Sequence, residues 1–99
     1  MMNTKRGWHE NGTLRYEHPY HDGKPHGLWR GWHENGTIAY GGHYERGKRH
    51  GTWRYYYPDG TIAYDYHYHD GAPNNTWREW DPDGTLDYEQ RYDHGKKVE

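Results

Sequence analysis

The run Trp32-His33-Glu34-Asn35-Gly36-Thr37-Ile38-Ala39-Tyr40 decides the fold, because its pattern returns at Trp8 to Tyr16, Tyr56 to Tyr64 and Trp80 to Tyr88, always at a step of 24 residues. Working outward from it, the flanking columns keep the same step without insertion. Trp29, Trp53 and Trp77 precede it, and Tyr20, Tyr44, Tyr68 and Tyr92 follow. Gly23, Gly47, Gly71 and Gly95 close each copy. A fixed short period of this kind marks a repeat array. The chain divides into repeats at about 5–28, 29–52, 53–76 and 77–99 within one domain spanning 1–99.

Each repeat holds two turn signals. The first is Asn11-Gly12, Asn35-Gly36, Asp59-Gly60 or Asp83-Gly84, dipeptides suited to the two positive φ values of a type I′ hairpin. Gly12, Gly36, Gly60 and Gly84 are therefore structural positions. The second signal, Asp22-Gly23 and its copies, runs on into Lys24-Pro25-His26-Gly27 or Lys48-Arg49-His50-Gly51 and reads as a longer connection. Between the turns lie short stretches rich in Trp, Tyr, Ile and Thr, which favour a pleated surface. Eight strands are predicted, at about 5–9, 14–21, 28–33, 37–45, 52–57, 61–69, 76–80 and 85–92.

Connections this short force neighbouring strands to be antiparallel. The predicted fold is all-β, a single-layer antiparallel meander on the order of 38 Å long at ordinary strand spacing. Ile38, Tyr40 and Tyr44 share parity, as do Ile62, Tyr64 and Tyr68, so they are expected on one apolar-aromatic face, with Ala39, His43, Asp65 and His67 on the other. Trp29 and Trp32 are three apart and need a bulge, or a bend near Gly31, if both are to point inward.

Composition narrows the function. Only 29% of residues are hydrophobic, yet six Trp and twelve Tyr supply large areas whose polar ends can stay wet. The Trp29, Trp53 and Trp77 column is the expected structural core. There is no cysteine and no serine, so common nucleophiles are missing; no phosphate-binding loop or repeat-breaking acid pair stands out, and an enzyme is not expected. No cofactor is implied. Thirteen basic and fifteen acidic side chains give a net charge of -2, against a strong nucleic-acid footprint. The lack of an apolar run or leader-like segment leads to an expected cytoplasmic location.

Two sets of side chains remain as site candidates. Arg30, Arg54 and Arg78 recur directly after the Trp column and draw a basic line across the sheet, where they either cover neighbouring rings or meet an acidic partner. They are the expected partner-binding residues. His67 and His69 project from one side of a strand and are the weak candidates for zinc or copper, against the expectation of a solvated histidine face. His26 and His50 sit inside the second connection, where an imidazole can cap loop backbone.

The segments Gly23-Lys24-Pro25-His26-Gly27-Leu28-Trp29 and Gly47-Lys48-Arg49-His50-Gly51-Thr52-Trp53, each followed by a His-Glu-Asn-Gly or Tyr-Pro-Asp-Gly turn, resemble the MORN repeat. The closest resemblance is to the variant MORN repeats of bacterial proteins, including the YwqK-like antitoxin family. Asn74-Asn75-Thr76 departs from it, as does Lys5 in place of Trp. The resemblance implies stacked hairpins in a curved sheet that binds proteins or, in some members, lipid surfaces. It also implies a toxin as one class of partner. Self-assembly through unpaired sheet edges and an engineered scaffold are the alternative readings.

Overall fold

The computed structural model describes residues 1–98 and is built only of strands and turns. The eleven strands are β1 (Met2–Trp8), β2 (Leu14–His21), β3 (Lys24–Pro25), β4 (Gly27–Trp32), β5 (Ile38–Glu45), β6 (Lys48–Tyr56), β7 (Ile62–His69), β8 (Ala72–Pro73), β9 (Asn75–Trp80), β10 (Leu86–Asp93) and β11 (Lys96–Val98). They form one antiparallel sheet in the order β1-β2-β4-β5-β6-β7-β9-β10-β11, with β3 beside β2 and β8 beside β7. Its extents are 43 × 36 × 12 Å, and the 12 Å dimension is a single layer of strands with its side chains.

The strand count exceeds eight because the second connection is itself strand. His21 pairs with Lys24, so Asp22 and Gly23 are the whole turn, with φ of 49° and 80°. Arg46-Gly47, Asp70-Gly71 and His94-Gly95 repeat that double positive φ, the type I′ requirement. The Asn-Gly turn is different. Gly12 N–H donates to the His9 carbonyl and His9 N–H to the Thr13 carbonyl, and only Gly12 has positive φ, so the loop is longer and Asn11 serves it as an acceptor for Thr13. The two turn assignments are thus exchanged relative to the sequence reading, since Asn-Gly suits a loop ending in one left-handed residue as well as a two-residue turn.

A bulge in every repeat also redistributes the faces. Trp32 pairs with Ile38 and Gly31 with Tyr40, leaving Ala39 as the extra residue; Arg15, Ala63 and Asp87 are skipped in the same way. An extra residue reverses parity beyond it. Ile38 accordingly lies with Leu28, Thr52 and Tyr56 on one face, whereas Tyr40 joins Trp29, Tyr44 and Trp53 on the other. The shared face expected for Ile38 and Tyr40 is therefore corrected. Trp29 and Trp32 also separate, Trp32 pairing with Ile38 on the opposite side. A second irregularity sits at Gly27, Gly51 and Asn75, all with positive φ, and Asn is the substitute that this conformation tolerates best.

Successive repeats are tied together at both edges of the ribbon. Gly47, Gly71 and Gly95 donate backbone N–H to the carbonyls of Pro25, Arg49 and Pro73, one repeat earlier. At the other edge Asn11 Nδ2 donates to the Glu34 carbonyl at 2.9 Å and Asn35 Nδ2 to the Pro58 carbonyl at 2.8 Å. Asp59 holds its own loop through Thr61 but has no N–H with which to continue the series. Replacing Asp59→Asn should restore that bond and raise stability by about 0.5–1.5 kcal/mol, the net value of one hydrogen bond. A chemical-denaturation midpoint unchanged or lowered by the substitution would contradict the ladder.

Candidate binding faces

A single layer cannot enclose a core, and among the described residues only Trp53 and Ala63 are buried hydrophobic side chains, at 2% and 5% exposure. Both broad faces are consequently surfaces. The aromatic face carries the Trp29, Trp53 and Trp77 column flanked by tyrosines. Each indole N–H donates to a carbonyl ten residues back, those of Pro19, His43 and His67, at 2.9, 2.9 and 2.7 Å. Ring contacts run laterally from there: Trp29 to Tyr44 at 4.6 Å, Tyr44 to Trp53 at 5.1 Å, and Tyr66 stacked on Trp77 at 4.0 Å between centroids. Polar tips stay satisfied while the rings pack.

The repeats differ most around Trp53. The column below the indoles reads His18, Gly42, Tyr66, so Trp29 and Trp77 rest on stacked rings but Trp53 lies directly on glycine. Tyr55 stands where the first two repeats have Gly7 and Gly31, and the facing Tyr64 is 39% exposed. Arg49, in the second repeat, stands where the first and third have Pro25 and Pro73. Its guanidinium lies 5.1 Å from the Trp53 ring and 5.5 Å from that of Tyr68, and its Nε is buried without a hydrogen-bond partner. Arg49, Trp53 and Tyr55 border an open pocket of about 200 Å³ with His18, Trp29, Tyr40 and Tyr44. Sequence reasoning passed over Arg49, Gly42 and Tyr55; reading each column for its odd member would have found them.

His18 stacks against Tyr16 and Trp29, at 4.7 and 3.9 Å, and its Nε2 is 2.6 Å from the Tyr40 hydroxyl. Desolvation among these rings pushes the imidazole pKa below the ordinary 6.5. The unfolded chain therefore takes up the proton first, and this contribution to stability is complete above about pH 6.5 and lost as pH falls through the lower folded value. Acidification from about pH 7.5 to 5 should lower the melting temperature more in the native chain than in His18→Gln. Parallel slopes for the two proteins would rule out His18 as the source.

The opposite face mixes apolar pairs with ions. Trp8, Trp32, Tyr56 and Trp80 pair across strands with Leu14, Ile38, Ile62 and Leu86. Arg30, Arg54 and Arg78 lie on this face, with Arg30 5.4 Å from the Trp32 ring. Each is also paired with a carboxylate: Arg30 with Glu17 at 2.6 Å, Arg54 with Asp65 at 3.4 Å, and Arg78 with Glu89 at 2.6 Å. Arg6 shares Glu17 at 2.9 Å, and Arg6 first, then Arg30, holds that carboxyl below its usual range by hydrogen bonding.

His50, His67, His69 and His94 lie toward the second-turn edge. His67 Nδ1 is 3.1 Å from Thr52 Oγ1 and its Nε2 is 3.5 Å from Asp65, while His69 stands 5.3 Å from His50 and 5.1 Å from His94 between ring centroids. The geometry does not bring His67 and His69 together with a third ligand, and no metal-holding group of three such side chains occurs among the described residues. His50 Nδ1 accepts from Asp70 N–H at 3.4 Å, and Asn74 Oδ1 accepts from His94 N–H at 3.0 Å at the equivalent place. Turn capping thus survives the exchange of His for Asn.

Stacked hairpins with both faces uncovered define a quasi-one-dimensional repeat protein, a class that offers extended surfaces to other molecules. The family model described as "MORN repeat variant" matches residues 4–22, 25–46, 49–70 and 73–94, and the chain belongs to that family of repeat modules. No curated protein and no solved structure matches the chain. No helix among the described residues is long and apolar enough to cross a membrane.

Proposed function

We propose that this chain is a non-enzymatic protein-binding module, and that its finer role is that of an antitoxin or immunity-type inhibitor which covers a toxic protein. The observation that carries the reading is the uncovered Trp and Tyr surface of a sheet only 12 Å thick. Tyr, Trp and Arg are the side chains enriched at binding hot spots. The resemblance to antitoxin-type variant repeats supports the finer role.

Arg30, Arg54 and Arg78 are proposed contacts on the polar face, where their side chains are 41%, 51% and 40% exposed. Their existing carboxylates change how this is tested, because charge reversal would set Glu against Asp65 and Glu89 and confuse binding with folding. Arg54→Gln with Arg78→Gln is the cleaner pair. The double variant should recover at least roughly tenfold less partner from a host lysate, by quantitative mass spectrometry, with unchanged circular dichroism. Undiminished recovery would move the interface to the aromatic face. Co-expression of the recovered protein, with and without the chain, decides the inhibitor role: a partner that is harmless alone sinks it. Recovery of the chain alone, with mass rising with concentration by light scattering, would favour self-assembly.

A further inference from the structure

On the polar face arginine and carboxylate alternate along one line: Arg6, Glu17, Arg30, Gly41, Arg54, Asp65, Arg78, Glu89. Every member is the cross-strand partner of the next, through seven consecutive pairings from Arg6↔Glu17 to Arg78↔Glu89. The line holds four arginines and three carboxylates, and the missing acid is at Gly41. The two flanking arginines turn outward from the gap, Arg30 to Glu17 and Arg54 to Asp65. Arg54 is held loosely, at 3.4 Å, and Arg30 Nε is buried with no partner.

The gap is also open space. A β-carbon at Gly41 would find nothing nearer than Ile38 Cδ1 at 3.8 Å, and the surrounding pocket of about 240 Å³ is walled by Leu28, Ile38, His43, Thr52, Arg54 and Tyr56. Gly41 pairs with Arg30 on one side and Arg54 on the other, so the two arginine backbones are about 10 Å apart at ordinary strand spacing. A carboxylate between them can accept from both forks, and charge-assisted pairs of this kind are the strong ones.

We infer that the Gly41 gap is an anchor for a glutamate or aspartate side chain of the protein partner, which completes the alternating line. One missing charge calls for a monoanion, and Leu28, Ile38 and Tyr56 accommodate the methylenes that carry it. The inference rests on the protein-binding reading and names the chemistry recognised.

The test uses N-acetylglutamate α-methylamide as probe, its neutral glutamine counterpart as control, and the Arg Nε–H resonances of the labelled chain as readout. Arg30 and Arg54 should shift together and saturate with a dissociation constant on the order of 10 mM, as a single small ligand permits. Arg49, on the other face, is the internal control and should not move. Gly41→Glu installs the residue that Glu17 and Glu89 represent in the same column, and should weaken the probe at least roughly tenfold. If that variant does not fold, Arg30→Gln serves instead and should weaken the probe likewise. Absence of saturation, an equal response to the glutamine control, an equal shift at Arg49, or unaltered binding in whichever of the two variants folds would overturn the inference. Loss of the probe site with partner capture intact would refute this anchor alone. Probe binding by a chain that captures no partner would refute the protein-binding reading.

Discussion

Truncating Trp53→Ala should destabilise the chain by about 3–5 kcal/mol, the range for removing a large buried aromatic. Trp53 is 2% exposed, lies on Gly42, touches Tyr44 and donates to the His43 carbonyl at 2.9 Å. With so little other buried hydrophobic surface, that loss is a large part of a stability that rarely exceeds about 15 kcal/mol in any domain. Lys5 occupies the same column in the outer strand of the first repeat, with its ammonium over Tyr20, so the indole is absent there. Equilibrium denaturation reads the result directly. A cost below about 1 kcal/mol would mean that the indole contributes surface rather than core.

Gly42→Ala should cost about 1–3 kcal/mol, the usual price of forcing volume into a filled site. A β-carbon at Gly42 would overlap the Trp53 ring, so the indole must leave its seat. The adjacent Gly41→Ala meets no atom closer than 3.8 Å and should be neutral or slightly stabilising, since alanine loses less backbone freedom than glycine. Two neighbouring glycines on opposite faces thus predict opposite outcomes. Equal denaturation midpoints for the two variants would refute the placement of Trp53 on Gly42.

Much of the architecture is legible in the amino-acid order because it is local. Period, strand identity and antiparallel pairing follow from turn residues and from connections too short to cross over. The 24-residue step, with two turn signals in each copy, implies hairpins stacked in one sheet, and the tryptophan column is visible as a feature that three of the repeats share. Candidate sites were less legible. The Arg30, Arg54 and Arg78 line was seen, but not the carboxylates that face it, because Glu17, Asp65 and Glu89 lie 11 to 13 residues from their partners and meet them only through register.

Parity is where sequence and structure part. Alternation along Ile38, Ala39 and Tyr40 suggests one face for Ile38 and Tyr40, yet the strand spends Ala39 on a bulge and the two side chains emerge on opposite sides. The turns behave alike: Asn11-Gly12 and Asp22-Gly23 are interchangeable as dipeptides, and the hydrogen bonds of the flanking strands decide which becomes the two-residue hairpin. By itself, then, the sequence determined the repeat, the strand class and the residues able to accept left-handed backbone. Tertiary structure decided which face each side chain occupies, because a one-residue change in register reverses a strand and only pairing with a neighbour sets that register. The vacancy at Gly41 is of the second kind: a glycine in the sequence, and a missing charge only between Arg30 and Arg54.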